Sequence, residues 1–201
     1  WCIVVCLAMT TSLSYAAVNK YDSLIADFDS KPSVAIANKF FKAMLEEDIM
    51  DEKYLLGDAT PIDSVCQEFY YWAGEWLNEC QEYERARQYG LKALELYKYN
   101  NDEKAYCLNL LGVVSVRLGD FASGVSYTKQ CVDIDMRSGD NDRIALSLST
   151  LAGTYIAADK PKDAEKYIMM GLEYAAKGKN TLRQTILLGM ASEVNYKMGD
   201  Y

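Results

Sequence analysis

The chain has 201 residues, half of them apolar and a quarter charged, with only three prolines, which fits an ordered, mostly helical unit rather than a disordered tail. A net charge of −8 without any basic run argues against a surface built to neutralise nucleic-acid phosphates or an anionic membrane. The absence of histidine removes Ser/His/Asp and Cys/His nucleophiles and every His-containing zinc site, leaving carboxylate pairs as the remaining hydrolytic option. Many of the 29 Asp and Glu residues fall at turns or on outer helix faces, so the chain is read as a non-enzyme with no catalytic residue, cofactor or metal site.

Residues 1–16 carry no charged side chain. Trp1 to Met9 is an uninterrupted apolar run, followed by the small and hydroxyl residues of Thr10 to Ser14 and by Ser14-Tyr15-Ala16, which resembles the small-x-small site of signal peptidase. The run is too short to span a bilayer, so residues 1–16 are expected to be a signal peptide that directs export to the periplasm, with cleavage after Ala16. It lacks an initiating Met and a positively charged start, so the signal is expected to be truncated at its N-terminus. Val5 before Cys6 argues against lipidation. The other reading of the segment is a buried first helix of a cytosolic domain.

Residues 17–60 are expected to be capping helices. Tyr21, Leu24, Ile25 and Phe28 sit at helical spacing and predict a short amphipathic helix over Val18 to Ser30, interrupted by Pro32. A second helix is predicted from near Ser33 to about Glu47, with Val34, Ala37, Phe40, Phe41, Met44 and Leu45 on one stripe. A loop from about Asp48 to Thr60 contains Gly57-Asp58 and ends at Thr60-Pro61-Ile62-Asp63, a helix-start signal in which Thr60 would cap and Asp63 would face the positive helix end.

From residue 61 a pattern recurs every 38 to 40 residues, with first helices centred on Trp72, Leu111, Leu151 and Ala191. Its units are 61–100, 103–138, 143–177 and a partial 182–201. The first copy carries Tyr70, Ala73, Gly74, Leu77, Tyr83, Ala86, Ala93 and Leu94; the second Leu108, Leu111, Gly112, Leu118, Gly119, Phe121, Gly124, Cys131 and Val132. The third carries Leu148, Leu151, Ala152, Tyr155, Pro161, Ala164, Gly171 and Leu172, and the fourth Leu188, Ala191, Ser192, Met198 and Gly199-Asp200-Tyr201. Gly112 and Ala152 are placed where two helices of a hairpin approach closest, facing Ala86, Gly124 and Ala164 from the second helices. Gly119-Asp120 and Gly199-Asp200 are read as turns, Gly accepting a positive φ and Asp capping the next helix. Cys131 stands where other copies have Ala93 and Gly171 and is expected to pack as a small residue; for Cys66, Cys80, Cys107 and Cys131 a disulfide or redox switch is the alternative, with no connectivity specified by their spacing.

These residues resemble the tetratricopeptide repeat family, whose 34-residue unit is a helix-turn-helix. The resemblance implies an all-α fold, a right-handed superhelical solenoid of antiparallel helix pairs. The period here exceeds 34, and the excess is expected in longer inter-repeat loops, Met136 to Arg143 and Ala175 to Arg183. In this family the first helices line an inner groove. Carried over, the groove would hold Glu68, Tyr71, Glu75, Asn78 and Glu79, then Tyr106, Asn109, Val113, Val116 and Arg117, then Ser149, Gly153, Ile156 and Ala157, then Gly189, Glu193, Tyr196 and Lys197. With Arg117 and Lys197 only near the rim, it lacks the converging basic residues that grip a terminal carboxylate.

Over nearly its whole length, the chain looks like the exported N-terminal repeat region of membrane-bound transcriptional regulators or sensor histidine kinases of Bacteroides-type bacteria. That resemblance implies a protein or peptide ligand, with self-association a second option, no nucleic acid on this segment, and attachment to the inner membrane only through a downstream helix. The last predicted helix lacks a partner before Tyr201, so the reading frame is expected to continue. A free periplasmic scaffold without signalling output is the alternative.

Overall fold

The computed structural model describes residues 15–97 and 101–199. The apolar run Trp1 to Met9, Ser14 of the expected cleavage site, residues 98–100 at the end of the first expected repeat, and Asp200-Tyr201 lie outside the described residues. Among the described residues the fold is all-helical, with nine α-helices, one 3-10 turn and no strand. The helices are α1 (Tyr15–Ser30), α2 (Val34–Glu46), α3 (Ile62–Glu79), α4 (Tyr83–Leu96), α5 (Asn101–Arg117), α6 (Phe121–Ser138), α7 (Asn141–Ala157), α8 (Pro161–Lys177) and α9 (Thr181–Met198). The chain divides into two compact units, residues 1–73 and 74–201, with the boundary inside α3.

The first unit is held by aromatic packing. Tyr21, Ile25 and Phe28 of α1 and Phe40, Phe41 and Met44 of α2 are buried at the spacing that puts each set on one helix face. Phe69, from the first part of α3, sits among them. Its ring stacks on Phe28 with centroids 3.7 Å apart, and it meets Phe40 at 5.0 Å and Phe41 at 6.4 Å. Ser33 caps α2 by accepting a hydrogen bond from the Ile36 amide at 3.3 Å. The loop after α2 contains a 3-10 turn at Glu52–Tyr54 and is pinned by Asn38. The Asn38 side-chain amide donates to the Leu56 carbonyl (2.7 Å), while Asn38 Oδ1 accepts from the Leu56 N–H (2.9 Å). The first helical hydrogen bond of α3 runs from the Val65 N–H to the Pro61 carbonyl, one residue later than a Thr60 cap would place it.

In the second unit each helix packs on the next: α4 on α5, α5 on α6, α6 on α7, α7 on α8 and α8 on α9. α7 also touches both α5 and α9 directly. Small residues explain the close pairs. A Cβ placed on Gly112 would fall onto the Thr128 methyl and lie 3.5 Å from the Gly124 carbonyl oxygen, and one on Gly124 would lie 3.3 Å from the Gly112 oxygen. Ala86, Ala93, Ala152 and Ala164 are completely buried, and Gly74 and Gly171 are buried with them. Cys131, expected as a small packing residue, is also buried.

The expected long inter-repeat loops are a correction. α6 runs to Ser138 and α7 starts at Asn141, so only Gly139 and Asp140 link them; residues 178–180 alone link α8 to α9. The residues beyond a 34-residue period lengthen the helices to 17 or 18 residues instead. The Gly139-Asp140 pair ends one helix and starts the next in two residues. Gly139 takes φ +73°, and Asp140 Oδ1 accepts from the amides of Asp142 (2.9 Å) and Arg143 (3.2 Å). Gly119-Asp120 does the same within a pair, as expected, with Gly119 at φ +79° and Asp120 accepting from the Ser123 amide at 3.1 Å.

A buried ion pair ties three helices. Arg143 of α7 donates through Nη2 (2.7 Å) and Nε (3.1 Å) to Asp135 Oδ1 of α6, and its Nη1 lies 3.2 Å from Asp102 Oδ1 of α5. Burial opposes the guanidinium charge, but Asp135, Asp102 and Tyr106 outweigh it and hold the Arg143 pKa above its ordinary value.

Candidate functional site

The residues expected to line a binding surface are positioned by the first helices of successive pairs, α3, α5, α7 and α9. On α5, Tyr106, Asn109, Val113 and Arg117 follow at intervals of three and four residues and so share one face. Tyr106 (44% exposed) and Arg117 are exposed, and Asn109 and Val113 are half-buried. The Tyr106 ring faces the Arg143 guanidinium with 5.4 Å between the guanidinium carbon and the ring centroid, so α7 supports the aromatic end of this stripe. Asn109 Oδ1 is buried without a hydrogen-bond partner among the described residues.

On α7 the structure separates the expected residues: Gly153 and Ala157 are accessible, while Ser149 and Ile156 are not. Ser149 is 3% and Ile156 8% exposed, because α7 is packed by helices on several sides and Ile156 belongs to a core cluster with Leu187 and Val194 of α9. The accessible stripe of α7 is Leu146, Thr150, Gly153 and Ala157, again at intervals of three and four. One residue along a helix turns the side chain by about 100°, so Ser149, one position from Thr150, points into the core. Gly153 and Ala157 of this stripe were expected and Leu146 and Thr150 were not; the repeat itself could have found Leu146, which stands forty residues after Tyr106 as Gly153 and Ala157 do after Val113 and Arg117.

On α9, Glu193, Tyr196 (69% exposed) and Lys197 are all exposed. Lys197 bridges back to α7. Its Nζ lies 3.5 Å from the Ile156 carbonyl oxygen, 3.8 Å from Asp159 and 3.9 Å from Glu193, so its charge is already engaged by the protein. Glu75 and Asn78, in the second unit's part of α3, are half-buried. Glu68 and Tyr71 belong to the first unit and are half-buried there, Tyr71 lying edge-on to Trp72 with centroids 5.3 Å apart.

The stripe that results is mixed. Tyr106, Val113 and Leu146 offer apolar contact, Asn109 and Thr150 offer hydrogen bonds, and Arg117 is an exposed cation. Such a surface suits recognition by shape and a few polar contacts. Among the described residues, no group of three or more Cys, Asp or Glu is placed to hold a metal ion. Burial, with Asp135 beside it, pushes the Cys131 thiol pKa far up, so this thiol is unreactive; Asp63 adds to burial in raising that of Cys66.

The first unit holds a feature that sequence reasoning missed. A shallow cleft of about 440 Å³ lies between α1 and α2, with Lys20, Lys39, Lys42 and Glu46 around a floor of Leu24 and Ala43. Lys20 and Glu46 form an exposed ion pair across it at 3.3 Å. Lys39 and Lys42 lie one turn apart on α2, and the packing of α1 on α2 brings Lys20 to them.

Among the described residues, no helix is long and apolar enough to cross a membrane. No protein-family model matches the chain, and no curated protein matches it.

Proposed function

We propose that residues 61–201 form a right-handed superhelical solenoid of tetratricopeptide-like repeats that binds a protein or peptide, and that the chain is the exported, periplasmic sensing part of a membrane-bound signalling or transcription regulator. The observation that carries the binding reading is the direct contact of the first helices α5, α7 and α9, each bearing an accessible stripe forty residues from the last. One hairpin has one such stripe; three in contact offer an extended surface of the kind that reads an extended peptide or a partner's helix.

Selection of a random peptide library on the full chain tests the binding reading. Selected peptides should bind wild type and lose at least tenfold in affinity against Tyr106→Ala combined with Val113→Glu. If peptides bind both proteins equally, the stripe is not the site. Export is tested by fractionating cells that carry the natural gene, and recovery of the protein in the cytosol ends that part of the reading. The regulator reading requires an apolar stretch of about 20 residues in the downstream frame. A stop codon after one or two more helix pairs would favour the free periplasmic scaffold instead.

A further inference from the structure

The accessible stripe of α5 and α7 differs in chemistry from one end to the other. α4 and α6 pack on α5, and α6 and α8 pack on α7, yet this face stays accessible with its chain neighbours in place on both sides. Its first end is apolar. The Tyr106 ring faces Arg143, and Leu146 stands one turn after Arg143 on α7, so the aromatic and the aliphatic side chain share that end. Its far end is cationic. Arg117, the last residue of α5, is exposed and forms no ion pair among the described residues. By contrast, Arg143 is held by Asp135 and Asp102, and Lys197 by Asp159 and Glu193. The rest of the stripe is uncharged, so Arg117 sets the charge that a ligand there must complement. Between the two ends lie hydrogen-bonding groups. Asn109 Oδ1 is buried, but Asn109 Nδ2 is accessible and donates to no group among the described residues. Thr150 donates its hydroxyl proton to the Leu146 carbonyl (3.2 Å) and is left as an acceptor.

We infer that the ligand of this stripe is an extended segment of a partner protein in which an Asp or Glu stands about five residues from a large apolar residue. The inference rests on the binding reading above and names the chemistry of its ligand. Tyr106 and Arg117 are eleven positions apart on α5, about 16 Å at the helical rise, and an extended chain covers that distance in about five residues. The extended form follows from the middle of the stripe. An extended backbone brings a free C=O to Asn109 Nδ2 and a free N–H to Thr150, whereas the backbone groups within a helix are already paired with one another. The carboxylate comes from a side chain, because the stripe lacks the converging donors that grip a terminal carboxylate. In a chain of net charge −8, repulsion elsewhere favours the register that puts this carboxylate on Arg117 and the apolar residue on Tyr106 and Leu146.

The test selects a random peptide library on the full chain and, separately, on Arg117→Glu. Peptides selected on wild type should carry Asp or Glu about five residues from a large apolar residue and lose at least tenfold in affinity against Arg117→Glu. Selection on Arg117→Glu should recover Lys or Arg at the acidic position. Arg117 is exposed, so this variant keeps the wild-type far-ultraviolet circular dichroism. Amidating the C-terminus of a selected peptide should leave its affinity unchanged, and the carbon-13 α shifts of the labelled peptide in the complex should be those of an extended chain. A library without binders, or peptides that bind wild type and the combined Tyr106→Ala and Val113→Glu variant equally, would remove the binding reading and this inference with it. Peptides that lose affinity for that double variant but not for Arg117→Glu would leave the binding reading standing and overturn this inference alone. Loss of binding on amidation or helical shifts in the complex would overturn it too. So would sedimentation of the protein alone as a dimer that Arg117→Glu dissociates, because the stripe is then covered by a second copy.

Discussion

Gln81, Asp159 and Lys179 hold φ angles of +63°, +54° and +56°, the left-handed region that Gly119 and Gly139 occupy without steric cost. Each closes a helix end in the same way. The Gln81 N–H donates to the Asn78 carbonyl (3.0 Å) and the Glu82 N–H to that of Leu77 (2.9 Å), and Asp159-Lys160 and Lys179-Asn180 repeat this pair of bonds. The conformation is forced by the link length, and only some copies have the residue that suits it. Gln81→Gly should therefore stabilise the protein by about 1 kcal/mol, with a smaller gain at Asp159, since Asp tolerates this region better. A shift of the urea midpoint to higher concentration checks it, and an unchanged midpoint for Gln81→Gly would refute it.

Asp120 adds a pH dependence. The Ser123 hydroxyl and amide, which hydrogen-bond the Asp120 carboxylate, hold its pKa below the ordinary 3.8, and Arg87 adds to this. A carboxyl whose folded pKa is depressed stabilises the fold fully above its unfolded pKa and loses that contribution as pH falls through the folded value. Wild type should lose this part of its stability only below about pH 4. Asp120→Asn keeps a capping oxygen and should show a flatter Tm against pH there, whereas Asp120→Ala should lower Tm at neutral pH. Equal Tm curves for wild type and Asp120→Asn below pH 4 would exclude the assignment.

At the scale of elements, the helices arise from spacing that can be read directly. Tyr21, Ile25 and Phe28, or Leu108 and Leu148, are buried because an apolar stripe at helical period must be covered. Small residues then decide how close two helices come. Gly112→Leu should destabilise the second unit by several kcal/mol, on the order of overpacking costs in tight cores with some gain in helix propensity offsetting it. Its side chain would begin on the methyl of Thr128, a residue only 1% exposed, and 3.5 Å from the Gly124 carbonyl oxygen. Thermal melts check this, and Gly189→Leu is the control, because nothing lies within 4 Å of a Cβ there. The inter-repeat links depart from the sequence expectation at this scale. Met136 to Arg143 looks polar and turn-rich, yet Asp135 and Arg143 pair on either side of Gly139-Asp140 and draw both helices to their ends. A salt bridge between two helices leaves no local signature in sequence.

For the whole molecule, the second unit is built by contact between neighbours in the chain, with α7 packed by α5, α6, α8 and α9, and α9 by α7 and α8. In such a stack local opening costs less where fewer neighbours are lost. Native-state hydrogen exchange should therefore protect the amides of α7 more than those of α9. Protection of α9 equal to that of α7 would mean that the unit opens only as a whole.

Sequence alone determined that the molecule is helical, where the helices lie to within a few residues, and that small residues such as Ala86, Gly112, Gly124, Ala152 and Ala164 stand on buried faces. Those are consequences of local period and of side-chain volume, which neighbouring residues carry in themselves. Tertiary structure decided which faces remain open. Ser149 and Ile156 are covered while Leu146 and Thr150 are accessible, Lys197 is engaged by Asp159 and Glu193, and Lys20 shares a cleft with Lys39 and Lys42 of the next helix. Ser149 shows the difference most directly: it is a small polar residue one position from the accessible Thr150, yet it is 3% exposed, because burial depends on what packs against a residue and not on the residue itself.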